Sequence, residues 1–297
     1  MEPRVVIVTR PTEYDELIAR HATHGAASWF LGERGQDIAV VLHRHRLQQE
    51  AVNTILHAIP QKWRHTSVTR GDLDRFLFEP EDLIVATGQD GLVANVAKYL
   101  TGQPVLGINP DPDQYEGVLV RHHRGHVADL LHDTASQKVD IEERTMIQAT
   151  LDDGQQLLAL NEIFIGHRSH QSARYTLHYR QNSERHSSSG LIVCSGTGAT
   201  GWARSIHQCH QSKLPLPLPA EPSTAFFVRE AWPSVSSRAD ITEGRLEGDE
   251  VLDVTSEMNV GGLIFGDGIE SDPLVFPWGR QARVGRAAQC LNLVSAG

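Results

Sequence analysis

Three stretches of this 297-residue chain carry residue types at spacings that could do chemistry. In the first, Ile84-Val85-Ala86-Thr87-Gly88-Gln89-Asp90-Gly91-Leu92-Val93, an uncharged apolar run stops at a glycine, an acid and a second glycine. A helical pattern, Val93 to Leu100, follows at once, so a buried strand is expected to end in a tight turn at a helix N-terminus. Such a terminus presents backbone N–H groups and the positive end of the helix dipole to an anion. Asp90 is placed where its carboxylate can face whatever binds there. Asp-Gly is also a common turn dipeptide, so the stretch taken alone is equally compatible with a plain turn.

The second is Asn161-Glu162, read as lying inside an apolar strand with Leu157 to Leu160 before it and Ile163 to Ile165 after. Adjacent strand residues point to opposite faces, so one of the two should face a core or a site. A buried carboxylate needs a partner, and a bulge or solvated edge is the alternative. The third runs from Ser187-Ser188-Ser189-Gly190 through the apolar Leu191 to Cys194 into Ser195-Gly196-Thr197-Gly198-Ala199-Thr200-Gly201-Trp202. Small residues let backbone approach a ligand, hydroxyls supply donors and acceptors, and Trp202 offers a flat face. A helix over Ala203 to His210 is expected next.

Sixteen histidines include the local sets His122-His123-x-x-His126, His167-x-x-His170 and His207-x-x-His210. Metal ligation is conceivable where His207, Cys209 and His210 cluster, but no second ligand set with structural-site spacing accompanies them. Solvated surface histidines are the expectation, and no metal ligands are assigned.

The elements that must position these residues change character along the chain. Up to about residue 118, strand-length apolar runs (Val5–Val8, Ile38–Leu42, Leu83–Thr87, Val105–Ile108) alternate with helical patterns. One such pattern carries Leu47, Ala51, Val52, Ile55 and Leu56, and another is opened by Asp72. A short strand is expected near Thr66-Ser67-Val68. Uncharged strands alternating with helices imply an α/β domain whose parallel sheet is covered on both faces, with ligands beyond the strands' carboxyl ends. From about 119 to 297 the pattern is a connection with one short helix, then many short strands between polar turns, which reads as a β-rich domain. Leu214-Pro215-Leu216-Pro217-Leu218-Pro219 must be an extended loop, since proline lacks a donor and fixes φ.

Composition constrains function loosely. A net charge of −10 argues against a nucleic-acid binder, and no apolar run reaches membrane-span length. The start of the sequence has neither a secretory apolar region nor the look of a transit peptide. Three cysteines without CxxC spacing suggest a reducing compartment, and a cytoplasmic location is expected.

In this order the three stretches resemble the NAD kinase family, whose members carry a GGDGT turn, an Asn-Glu pair in a strand and a Gly/Thr-rich loop after a Gly-Leu strand. The likeness is greatest to its mitochondrial-type branch and that branch's bacterial relatives. It rests on Pro104 to Pro112, Ala159 to Gly166, Ser188-Ser189-Gly190-Leu191, Ser205-Ile206 and the opening Val5 to Val8 with Thr12-Glu13-Tyr14. The resemblance implies a two-domain kinase that transfers the ATP γ-phosphoryl to the 2′-hydroxyl of the adenosine ribose of NAD, giving NADP. It implies Asp90 as general base, and Gly88, Gln89 and Gly91 at the phosphates. Asn161, Glu162, Thr200, Gly201, Trp202 and Ser205 would lie on NAD. Mg2+ would arrive with ATP, residues after about 277 would return to the first domain, and the chain would form a homodimer or homotetramer.

Four positions depart from the family. Pro110 replaces the usual small polar residue after Asn109, and Ser189 stands where the family often has an acid, a serine that the mitochondrial-type branch shares. The other two lie in the turn. Gln89 stands where the turn has its second glycine, and Leu92 where it has threonine. A positive φ at Gln89 would be strained, and Leu92 removes a hydroxyl. These departures leave two other readings open. One is a kinase of a different hydroxyl on a nucleoside, lipid or sugar, and the other a non-catalytic dinucleotide-binding protein with a degraded ATP turn.

Overall fold

A computed structural model describes residues 2–270 and 272–295, and the described chain divides into two compact units. The first runs to Glu142 and is rejoined from Asn292; the second is Glu143–Leu291.

In the first unit the strands β1 (Arg4–Thr9), β2 (Arg64–Thr69), β3 (Asp82–Thr87) and β4 (Pro104–Asn109) are all parallel, in the order β2-β1-β3-β4. Every residue of β3 is buried: the uncharged Leu83–Thr87 as a strand covered on both faces requires, and Asp82 at its start through an ion pair with Arg4 at 2.6 Å. One face carries Val5, Ile7, Val85, Leu106 and Ile108 against Ile55 of α3 (Ile38–Ala58), Ile59 just beyond it, and Val127 and Leu131 of α5 (Val127–Ala135). The helix α4 (Asp90–Ala97), which follows β3 directly, packs on β1, β3 and β4. Two helices not anticipated, α1 (Glu13–His21) and α2 (His24–Gly32), join α3 in a small cluster of Leu17, Ala27, Leu31, Ile38 and Val41.

Four expectations need correction here. Ile38–Leu42 is the first turn of α3, not a strand: Asp37 accepts the Ala39 N–H as N-cap, and the run leads without a break into the helical face beyond it. The helix at Asp72 is a 3-10 segment over Arg70–Arg75. The boundary near residue 118 falls inside the first unit, because Val118–Val120 are bound to Asp90 and α5 belongs to this core. The return of the chain comes at Asn292, later than residue 277.

The second unit is built from strands. The first unit's short β5 (His122–His123) precedes β6 (Ile141–Leu151), β7 (Gln156–Ala159), β8 (Glu162–His167), β9 (Ala173–Tyr179), β10 (Asn182–Ser188) and β11 (Leu191–Cys194). After α6 (Trp202–Cys209) come β12 (Ser223–Val228), β13 (Glu243–Glu247), β14 (Val251–Ser256), β15 (Gly262–Gly266), β16 (Leu274–Val275) and β17 (Gln281–Val294). One layer orders β10-β9-β14-β17, with β6 and β7 beyond; the other is antiparallel in the order β13-β12-β11-β8-β15-β16. Tyr175, Leu177 and Val254 of the first layer meet Ile163, Ile165, Val193 and Phe226 of the second. The opposite face of the second layer, with Phe164, Ile192 and Phe227, is covered by Ala203 and Ile206 of α6 and by Leu214 and Leu216 of the proline-rich loop. Strands β11 and β12 are therefore buried along their whole length.

Candidate active site

The first cluster forms at the carboxyl ends of β3 and β4. Gly88 leaves β3 with φ +151°, and its N–H donates to the Ile108 carbonyl at 3.2 Å, tying the turn to the neighbouring strand. Gln89 follows as the N-cap of α4 at φ −104°, ordinary extended backbone, so the glycine-to-glutamine departure costs no strain. Asp90 is the first helical residue. Its carboxylate accepts three consecutive backbone N–H groups: Val118 on Oδ2 at 3.0 Å, Leu119 and Val120 on Oδ1 at 2.8 and 3.0 Å. A carboxylate has about four acceptor positions, so Oδ2 keeps room for one more donor. A Cβ built on Gly91 meets nothing within 4 Å, which leaves the front of the helix N-terminus open. Leu92 turns inward and is 2% exposed, a core residue that braces the turn from below.

Beside Gly88 and Gln89 lies a cavity of about 100 Å³ lined also by Arg10, Arg44, Gln48 and Tyr115. Gln48 holds the strand end in place by donating to the Thr87 carbonyl at 2.8 Å. Glu13, which pairs with Arg44 at 3.5 Å, and Asp111 line the same cavity, so Arg10 and Arg44 bring cations to the turn within a wall of mixed charge. Sequence reasoning missed Arg10, Arg44 and Gln48, since they come from the end of β1 and from α3, the latter read partly as strand.

The second cluster belongs to the second unit. Asn161-Glu162 is not inside one strand: β7 ends at Ala159, Asn161 lies in a bend, and Glu162 opens β8. The break is made by Asp267, whose carboxylate accepts the N–H groups of Leu160 (2.8 Å), Asn161 (2.7 Å) and Glu162 (3.3 Å). Those donors bond a side chain instead of a ladder, which is why the strand stops there. Asp267 sits in an Asp-Gly turn that reads as mere punctuation in the sequence.

The Gly/Thr loop is bound to the same break. Ser195 donates its N–H to the Asn161 carbonyl at 3.0 Å and its hydroxyl to the Leu160 carbonyl, while Oγ accepts the Thr197 and Gly198 N–H groups at 3.1 and 3.3 Å. Buried Arg144 donates to Thr197 Oγ1 at 3.3 Å. A Cβ on Gly198 would collide with the Asn161 carbonyl, so only glycine allows this approach. Thr200 is exposed and donates its hydroxyl to the Thr197 carbonyl at 2.8 Å. Trp202 stacks on Phe164 with ring centroids 6.0 Å apart and planes 16° apart, and the Arg229 guanidinium lies 5.1 Å from its ring centroid. The indole is thus a wall already backed by protein. Gly201 precedes it, and Ser205 is exposed one turn further along α6.

Glu162 faces this side of the sheet, opposite Cys194 in register. Burial, then the neighbouring Asp267 charge, pushes its carboxyl up to about 7. Burial pushes the Cys194 thiol up to about 12, which keeps it an inert core group. Glu162 is consequently a carboxyl poised to gain or lose a proton near neutrality when donors arrive.

Not every histidine is solvated. His122 (5% exposed) meets the Val294 carbonyl through Nε2 at 2.9 Å, and His186 (1% exposed) stacks on Tyr175. Burial lowers the pKa of both. His207 meets the Leu214 carbonyl through Nε2 at 3.0 Å.

No family model matches the chain. Among curated proteins, human mitochondrial NAD kinase 2 is 24% identical over 310 residues, taking in 76% of this chain and 70% of that protein. Its Xenopus tropicalis counterpart is 26% identical over 271 residues, with 69% and 64% covered. Among solved structures, yeast NADH kinase complexed with NADH superposes with a TM-score of 0.63 at 14% identity, over 100% of this chain and 84% of that one. The chain is a relative of the NAD kinases. An NAD kinase from Archaeoglobus fulgidus in complex with ATP shares the fold as well, with a TM-score of 0.60 at 17% identity over 98% and 93% of the two chains. The α/β unit and the β-rich unit are thus the two parts of an NAD kinase fold. The matched curated relatives are named as mitochondrial proteins, which overturns the cytoplasmic expectation. Cysteine usage reports a reducing environment and does not distinguish one reducing compartment from another.

Proposed function

We propose that this NAD kinase relative transfers the γ-phosphoryl of ATP to the 2′-hydroxyl of the adenosine ribose of NAD, giving NADP. The observation that carries the reading is the Asp90 carboxylate, held at the open N-terminus of α4 beside a cavity lined by Arg10 and Arg44. Phosphoryl transfer asks a protein mainly for positioning and for charge placed around the phosphates. In this reading Gly88, Gln89 and Gly91 bring backbone amides to the phosphate chain, and the two arginines neutralise it. Asp90, positioned by its three N–H bonds, uses the free acceptor position of Oδ2 to take the proton of the attacking hydroxyl.

On the nucleotide side, Asn161 donates to and accepts from ribose hydroxyls and amide groups, and ionised Glu162 accepts from them. Thr200, Gly201 and Trp202 border the adenine, with Ser205 beside them. Mg2+ enters with ATP and offsets charge on the phosphates. Assembly as a homodimer or homotetramer belongs to the same reading and is checked by sedimentation.

The departures that favoured other readings have structural explanations. Gln89 is unstrained and Leu92 belongs to the core, which supports an intact turn rather than a degraded one. The deciding assay combines purified protein, ATP, Mg2+ and NAD with an NADP-specific coupled readout. Turnover supports the reading; transfer only to another hydroxyl acceptor, or NAD binding without turnover, sinks it.

A further inference from the structure

A second candidate site lies in the second unit, along the edge of β10. This strand pairs with β9 on one side only, and its other edge is covered by the segment after β12. Backbone bonds anchor the cover at three places. Arg229 and Gly190 are joined at 2.8 Å, the Trp232 N–H donates to the Ser187 carbonyl at 2.7 Å, and the Arg238 N–H donates to the Arg185 carbonyl at 3.0 Å. Between the last two anchors β10 advances only from Ser187 to Arg185, while the cover inserts Pro233-Ser234-Val235-Ser236-Ser237. The surplus chain bows away from the strand and leaves a cavity of about 460 Å³, within the usual range for a small-molecule pocket.

Its lining is distinctive for a protein of net charge −10. Arg174 and Arg185 flank it, serine hydroxyls from Ser172 to Ser237 fill much of the wall, and no carboxylate lines it among the described residues. Arg185 pairs through Nε with Glu257, which fixes the guanidinium while its terminal nitrogens remain available. Arg174 is exposed and has no side-chain partner among the described residues. His186 also lines the cavity; it is 1% exposed, and its Nδ1 is buried without a hydrogen bond. At the rim Trp232 is 71% exposed, a large flat ring that the fold leaves uncovered. The bowed segment is stiffened internally, with the Ser237 hydroxyl donating to the Trp232 carbonyl at 2.8 Å and Ser234 Oγ 2.8 Å from Ser237 Oγ.

Two cationic forks, a wall of hydroxyls and one exposed indole are the features that recognise phosphate joined to a flat ring. We propose that the cavity between β10 and the 232–238 segment is a second nucleotide-binding site, with Arg174 and Arg185 on the phosphates and Trp232 on the base. It is separate from the cluster of Asn161, Glu162 and Trp202 and does not rest on the proposed kinase activity.

The test uses the full chain with ADP and inorganic pyrophosphate as probes, in the presence of saturating NAD. Calorimetry gives stoichiometry and affinity for the unaltered protein, Arg174→Glu and Trp232→Ala. Both positions are exposed, and unchanged melting curves verify the fold. The expected result is an ADP site that weakens at least tenfold in each variant, binds pyrophosphate at least tenfold more weakly than ADP, and leaves NADP formation without added ADP unchanged. Equal ADP affinity in all three proteins would overturn the site. Pyrophosphate binding as tight as ADP would overturn its assignment to a nucleotide.

Discussion

Gly198 lies against the carbonyl of Asn161 so closely that no residue with a Cβ could take its place without moving one of the two. The contact locks the Gly/Thr loop onto the strand break that carries Glu162. Gly198→Ala is therefore expected to lower stability by about 1–3 kcal/mol through overpacking and to displace the loop. Thermal unfolding and an NAD titration check it: the KM for NAD should rise at least several-fold. An unchanged KM would separate the loop from NAD binding.

Asp90→Asn removes the proton acceptor and also turns an amide donor toward one of the three N–H groups. Activity should fall by roughly 10² to 10⁴, the usual contribution of a general base. Stability should fall by about 1–3 kcal/mol, because Val118 or its neighbours lose their acceptor. The pH–rate profile distinguishes base from positioning residue. A variant that keeps the parent's pH limb at reduced amplitude shows Asp90 to act through the Val118–Val120 segment.

Glu162 ties stability to pH with a sign that can be fixed. Its carboxyl titrates near 7 in the folded chain and near the ordinary 4.5 when unfolded. Between those values the folded protein holds a proton that the unfolded chain has released, so this contribution falls as pH rises and is gone above about 7. Urea unfolding at pH 5 and pH 7.5 should show a smaller loss of stability in Glu162→Gln than in the parent. Hydroxyl donors from NAD favour the ionised form, so NAD affinity should rise through pH 7 in the parent and stay flat in the variant. Equal slopes in the two proteins would remove Glu162 from both roles.

Restoring a threonine at Leu92 should harm this protein. Leu92 is 2% exposed, so Leu92→Thr should cost about 2–4 kcal/mol by chemical denaturation. Gln89→Gly, at a residue without backbone strain, should change stability by less than about 0.5 kcal/mol. A more stable Leu92→Thr protein would refute this account of the turn.

Asp267→Ala leaves three consecutive N–H groups at Leu160 to Glu162 without their acceptor. Lost stability of about 2–4 kcal/mol is expected, with NAD binding falling further than ATP binding. Equal loss of both ligands would mark a general unfolding instead.

How much of this was legible depended on whether the signal was local. Asp90 announced itself because strand, glycine turn and helix are adjacent in sequence, and the buried strands β3 and β11 showed as the uncharged runs Leu83–Thr87 and Leu191–Cys194. Ile38–Leu42 misled because a short apolar run has the same composition in a buried strand as in the first turn of a helix. The strand break at Asn161 was illegible for a different reason: its cause, Asp267, lies 106 residues away in the chain. Arg10 and Arg44 reach the Gly88 turn from other elements, and no local spacing could have joined them to it.

The long last strand carries a lesson about how the chain is made. Asn292 and Leu293 of β17 lie beside Pro104 and Val105 of β4, so the first unit's sheet is completed by residues synthesised after the whole second unit. On the ribosome, the Pro104–Val105 end of that β4 edge must stay open until the whole second unit has been made, while Ile108 and Asn109 pair with β5. A fragment cut at Glu142 would keep the Asp90 turn yet never receive its missing strand, and the exposed edge would invite pairing with other chains.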